Sequence, residues 1–285
     1  MWEFNFFRKK ITPFTEVPIR DNFYQTSSFF PMPVTLISTL DESGQTNLGA
    51  YSLVFPYIIS GKHSMLLISR GTSNTAQNIL RTKKAAINFI PDDHKYMRNA
   101  VELGYPGDTT EEKMKLSEFT LVPSLRGGEG YPQLVKEAIQ VFECTWDDTH
   151  PHIINEQEYH FVLRIEKIVM QADWAEELER GEKFPHIPVD YGFRDGQHFW
   201  FSDWSRPYHI DVPDHKQDDA TSIKFMADRI DPEIEWDLEA CKMLVRVPRV
   251  FLKRVLKGVI AKAKERDITV VTAELMEQIN AERKG

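Results

Sequence analysis

Pro31-Met-Pro-Val-Thr-Leu-Ile-Ser-Thr39, followed by Asp41-Glu-Ser-Gly44 and Asn47-Leu-Gly-Ala-Tyr-Ser52, is the stretch on which the fold turns. Val34 to Leu40 is rich in β-branched residues and reads as a strand. Asp41 to Gly44 reads as a hairpin turn, because Gly44 can take a positive φ at no steric cost. Thr46 to Ile59 then reads as one long, bent second strand, part of which Pro56 confines to an edge or a break. Two antiparallel strands joined by a tight turn begin a sheet that grows by hairpins.

The pattern continues outward. Met65 to Ser69 is a short apolar strand. Ser73 to Thr82 changes period: Ala76, Ile79 and Leu80 sit at helical spacing, with Thr72 or Ser73 as N-cap. Ala85 to Ile90 returns to strand, Asp92 to Gly104 and Thr109 to Phe119 read as helices, and Glu137 to Trp146 and Tyr159 to Met170 read as long strands. Phe193 to Phe201 reads as a hairpin turning at Asp195-Gly196. Strands with interspersed helices and no βαβ alternation argue for an antiparallel barrel, mainly β with helices, over a doubly wound sheet. Arg206 to Pro232 is polar and reads as a tether. After Trp236 the period is helical: Asp237 caps one helix, Pro248 suits the first turn of a second, and Thr272 caps a third. The expected domains are 1–205, a barrel; 206–234, a linker; and 235–285, a small helical domain.

Composition narrows the function. The formal net charge of -8 argues against general binding to nucleic acid or anionic membranes, which needs clustered Lys and Arg. Two distant cysteines, Cys144 and Cys241, neither hold a four-Cys iron–sulfur cluster nor suggest a disulfide scaffold. No apolar run approaches the ~20 residues of a membrane helix. The basic trio Arg8, Lys9 and Lys10 has no apolar segment after it, so no signal peptide is read and the expected location is cytoplasmic.

Chemistry concentrates where the helix at Ser73 begins. Arg70, Thr72, Ser73 and Thr75 supply a cation and hydroxyls at a helix N-terminus, a set suited to a phosphate dianion. Asn47 to Ser52 is a run of mostly small residues that lets a flat ligand approach backbone closely. Plainer readings also fit: Thr72 and Ser73 as helix caps, Asn47 and Ser52 as polar turn and strand residues, Arg70 as a solvated charge. His150, His152, His209 and His215 lack the spacing of a metal site. No G-x-G-x-x-G fingerprint is present, so no separate Rossmann site is expected.

The segments Pro31 to Thr39, Asn47 to Ser52, Arg70 to Ile79 and Ala86 to Ile90 resemble the flavin reductase family in order and spacing, as do Phe119 to Ser124 and Ala138 to Cys144. The resemblance covers about two thirds of the chain. It implies an FMN-binding split β-barrel, NAD(P)H as co-substrate and a homodimer that shares the FMN site between subunits. It also implies that Asn47, Ala50, Tyr51 and Ser52 lie along the flavin, and that Ser38 and Thr39 reach its phosphate or ribityl chain. Hydride transfer is flavin chemistry, so no catalytic side chain is demanded. Arg164, where the family often has a small Gly, and the long acidic loop Asp147 to Glu158 depart from the family on the substrate side. Trp236 to Pro248 and Asp267 to Leu275 resemble the C-terminal domain of the light-independent protochlorophyllide reductase B subunit. That implies a small helical fold, with its basic face from Arg246 to Lys264 a solvated surface or a dock for a redox partner. The leading expectation is an FMN-dependent, NAD(P)H-linked oxidoreductase. Its alternatives are an FMN-holding electron carrier without NAD(P)H activity and a non-catalytic partner-binding module.

Overall fold

The computed structural model describes residues 13–104, 109–155, 157–180, 183–193, 198–202 and 220–282. The chain divides into two compact units, Met1–Arg206 and Pro207–Gly285.

In the first unit a helical turn, α1 (Phe23–Thr26), leads to β1 (Met32–Pro33) and the hairpin β2 (Thr35–Leu40) and β3 (Thr46–Tyr51). A second hairpin pairs β4 (Val54–Ile58) with β5 (Ser64–Arg70). Next come α2 (Asn74–Thr82), β6 (Lys84–Phe89), α3 (His94–Leu103) and α4 (Thr110–Leu116). Short strands β7 (Leu121–Val122) and β8 (Leu134–Val135) precede the long hairpin β9 (Gln140–Trp146) and β10 (Glu158–Met170). The unit's remaining elements are α5 (Ala172–Arg180), β11 (Val189–Phe193) and β12 (Phe199–Ser202).

Seven strands form one antiparallel sheet in the order β3-β2-β6-β9-β10-β5-β4, and β1-β11-β12 form a smaller one. The edge strands of the large sheet, β3 and β4, are consecutive in the chain, with only Ser52 and Leu53 between them. Three residue steps reach at most ~11 Å, whereas the edges of a flat seven-stranded sheet would stand ~29 Å apart. The sheet therefore curls into a half-barrel with its split between β3 and β4. β10 serves the curl by pairing with β5 through its first half and β9 through its second, with a bulge between Ile165 and Lys167.

This corrects the single bent strand read over Thr46 to Ile59. Ser52-Leu53 breaks it, and the two pieces lie on opposite edges of the sheet. Pro56 does sit on an edge strand, where its missing N–H is harmless. Gly44 takes φ 84° in the β2–β3 turn. All six residues of β2 are buried, because both faces of the sheet are covered. Ile37, Leu67, Ile87, Phe161 and Leu163 pack with Ala76 and Ile79 of α2. Leu36, Leu48, Ala86 and Val141 pack with Ala100 and Leu103 of α3. The hairpin read over Phe193 to Phe201 starts earlier, at Val189, and its turn at Asp195-Gly196 falls outside the described residues. α5 lies in a stretch to which the sequence reading gave no element.

The second unit contains α6 (Ala220–Ile230), β13 (Glu235–Trp236), α7 (Leu238–Lys242), α8 (Arg249–Glu265), β14 (Val270–Val271) and α9 (Ala273–Glu282). β13 and β14 pair in parallel. The core gathers Trp236, Leu244, Leu256, Val259, Leu275 and Ile279, together with Ile223 and Ala227 of α6. The linker expected over 206–234 is therefore corrected in its second part. Ala220, Ile223 and Ala227 recur at helical spacing and bury one face of α6, so this segment is part of the packed unit. The first part, to residue 219, lies outside the described residues.

Candidate functional site

The start of α2 is fixed by a cluster of hydroxyls. Ser73 is the N-cap: its Oγ accepts a bond from the Ala76 N–H at 3.0 Å. Tyr51 from β3 reaches the same place, its phenol 2.8 Å from Ser69 Oγ and 3.0 Å from Ser73 Oγ, and the two serine oxygens are 2.9 Å apart. Three hydroxyls thus surround the positive end of a nine-residue helix. Gly49 permits this approach. A Cβ there would stand 2.6 Å from Thr75 Oγ1 and 3.1 Å from the Tyr51 ring, so a side chain at this position would force these site residues to shift.

Arg70 ends β5 beside this cluster. The loop that follows is pinned at Gly71, whose N–H donates to Gln157 O at 3.0 Å and whose carbonyl accepts from Gln77 Nε2 at 2.7 Å. Arg70 and Thr72 themselves are exposed, and the Arg70 guanidinium makes no ion pair among the described residues. At the β3–β4 corner, Ser52 Oγ donates to the buried Asp190 of β11. Asp190 also accepts from the Gly192 N–H at 2.7 Å. Tyr24 of α1 is partly buried nearby. Burial pushes its phenol above the ordinary value; Arg70 pulls it down, and Asp190 and Glu158 push it up.

The structure therefore brings Tyr51, Arg70, Thr72, Ser73 and Thr75 together around the start of α2, with Ser52 at the adjoining corner. Ser38 and Thr39 are fully buried and alternate across β2. Ser38 Oγ accepts from Asn88 Nδ2 at 2.8 Å, and Thr39 Oγ1 accepts from Asn78 Nδ2 at 3.0 Å. Asn47 is paired across strands with Thr39 and fully buried, yet neither its Oδ1 nor its Nδ2 has a hydrogen-bond partner among the described residues. Ala50 packs on the α3 side of the sheet. Sequence reasoning missed Ser69, which its place beside Arg70 signalled. It also missed Tyr24 and Asp190, which stand in no motif and reach the site only through folding.

The histidines do not converge. His150 meets the Tyr57 ring edge-on, and His152 lies among Trp146, Tyr159 and Phe161. His209 and His215 fall outside the described residues. Among the described residues no three His, Cys, Asp or Glu side chains group as metal ligands, and no helix is long and apolar enough to cross a membrane.

The donors at α2 fit a phosphate-bearing flavin: an exposed guanidinium, several hydroxyls and a helix N-terminus meet at the end of a polar, small-residue strand. The unpartnered Asn47 amide is a further sign that this part of β3 is not built for packing alone.

Comparison with known proteins agrees with this fold. The architecture is similar to that of nitrilotriacetate monooxygenase component B from Bacillus cereus, at 14% identity over 70% of this chain and 100% of that one, with a TM-score of 0.54. It is similar to flavoredoxin from Methanosarcina acetivorans, at 16% identity over 73% and 99%, with a TM-score of 0.52. It is also similar to an FMN-binding protein from Thermus thermophilus with bound p-hydroxybenzaldehyde, at 12% identity over 70% and 100%, with a TM-score of 0.52. No curated protein matches significantly. The model of the flavin reductase like domain matches residues 27–180, more than half of the sequence, and the chain belongs to that family.

Proposed function

We propose that the protein binds FMN non-covalently at the start of α2 and acts, as a homodimer, in NAD(P)H-linked redox chemistry. The observation that carries this reading is the hydroxyl cluster of Tyr51, Ser69 and Ser73 beside the exposed Arg70, which makes no ion pair among the described residues. Arg70 and the first N–H groups of α2 would hold the phosphate dianion, with Thr72 and Ser73 as hydroxyl donors. The Ser52–Asp190 bond fixes the β3–β4 corner, and Gly49 keeps β3 close to α2. When bound, the flavin supplies the redox chemistry, accepting a hydride and passing its electrons on. Exposed apolar side chains such as Phe14, Ile19, Phe29 and Ile59 support a second copy covering this unit.

Calorimetric titration of flavin-free protein with FMN tests the reading. Saturable binding, with flavin absorbance released on denaturation, is the expected result; no heat with excess FMN overturns it. The absence of a G-x-G-x-x-G segment from the sequence keeps a second reading alongside, an FMN-holding electron carrier. Anaerobic titration with NADH and NADPH separates the two, since only the first reading predicts bleaching of the bound flavin.

A further inference from the structure

Arg70 and Glu158 stand directly opposite each other across β5 and β10. Opposite residues of an antiparallel pair share a face, with Cβ atoms ~4.5–5.5 Å apart. The two strand ends are locked together here: the Gly71 N–H donates to Gln157 O at 3.0 Å, and a Cβ on Gly71 would stand 2.6 Å from the Tyr159 ring. A guanidinium and a carboxylate held in this way are natural partners.

They do not pair. Among the described residues Arg70 forms no ion pair, and Glu158 bonds to His160 instead: its Oε1 accepts from His160 Nε2 at 2.6 Å. His160 lies two residues further along β10, on the same face as Glu158. Its Nε2 is the donor, because an ionised carboxylate only accepts. A second carboxylate is nearby, since the charges of Arg70, Asp190 and Glu158 all reach the Tyr24 phenol. Asp190 is engaged as well, one oxygen with the Ser52 hydroxyl and the other with the Gly192 N–H. Arg70 thus has two carboxylates around it, and each is occupied by another donor.

We propose that His160 is a positioning residue for the flavin phosphate: by holding Glu158 it keeps the Arg70 guanidinium available to the dianion. Glu158 released from His160 turns to Arg70 and competes with the phosphate. Preference for a phosphorylated flavin over an unphosphorylated one then depends on His160, acting through Glu158 and Arg70. The inference rests on the flavin reading above and extends it to β10.

The full-length protein and its variants are titrated calorimetrically with FMN and with riboflavin. His160→Ala is expected to weaken FMN by about tenfold, near the lower end of what a charge-assisted bond contributes. Riboflavin affinity should stay unchanged, which also shows that the variant is folded. In a Glu158→Gln background His160→Ala should change neither affinity, because no carboxylate is left to compete for Arg70. A loss shared equally by FMN and riboflavin overturns the proposal and makes His160 a structural support. A loss of FMN affinity that persists in the Glu158→Gln background also overturns it, since His160 would then act on the ligand without Glu158. An FMN affinity that His160→Ala leaves intact sinks the positioning role alone. Wild-type protein that binds neither flavin sinks the flavin reading itself.

Discussion

The two units bury their interiors in opposite ways. All sixteen buried polar or charged residues among the described ones lie between Thr35 and Asp190, in the barrel unit. The helical unit has seventeen described residues in its buried core, every one apolar or cysteine. A buried polar group is costly unless it is bonded. The barrel nevertheless keeps Thr39, Asn78 and Arg81 in one chain of bonds and Ser38 and Asn88 in another. A core that only had to hold itself together would resemble the second unit. The difference teaches where specificity resides: the barrel spends stability on placing polar groups, and the helical unit does not.

The most disruptive test of this contrast is Leu256→Ala, at a fully buried position of α8. It should cost about 2–5 kcal/mol, read as a fall in the urea midpoint of the helical unit, while FMN affinity stays unchanged. A matching fall in FMN affinity would break the comparison by making the helical unit part of the site. Arg70→Ala comes next. It should weaken FMN by about 1.5–3 kcal/mol through the lost charge-assisted bond and leave riboflavin, which has no phosphate, nearly unaffected. Equal losses in calorimetry would show that Arg70 does not face the dianion.

Two finer substitutions sharpen the contrast. Tyr51→Phe removes one hydroxyl from the cluster and should weaken FMN by about 0.5–1.5 kcal/mol; no change would make the phenol a purely structural link. The smallest expected effect concerns acid stability. Burial nudges the Asp41 carboxyl upward, but bonds from Ser43 and Gln45 outweigh it and hold the group below its ordinary value. Such a carboxylate adds stability above its unfolded pKa of about 4, and that stability is lost as pH falls through the lower folded value. The stability gap between the wild type and Asp41→Asn should therefore be widest near neutrality and close below about pH 4 in a series of urea titrations. A gap independent of pH would count against the bonds.

Much of the barrel was legible because its signals are local. The Asp41–Gly44 turn, the Ser73 cap and the switch to helical period after it each depend on a few neighbouring residues. What escaped depends on distant ones. α6 hides its short apolar face, Ala220, Ile223 and Ala227, in a polar stretch, and only the surrounding core reveals it. β13 and β14 are two residues each and exist only because they meet. At the site, Arg70 and Ser73 were readable from residue type and position and Tyr51 only through the family resemblance, whereas Ser38 and Thr39 were read as one pair although strand alternation turns them to opposite faces. Asp190 carries no local mark of its bond to Ser52.

That bond joins residues 138 positions apart. At a synthesis rate of ~5–20 residues per second, Ser52 waits roughly 7–28 s for Asp190 to leave the ribosome. For roughly the first two thirds of that interval β9 and β10 have not been made, and the early sheet is limited to β2 to β6 with α2 and α3 on its faces. Long-range closure of this kind also slows folding after release, whereas the helical unit makes its contacts over short stretches of chain. Nascent barrel chains should accordingly be the chaperone clients of this protein, and raised chaperone levels should increase soluble yield through the barrel.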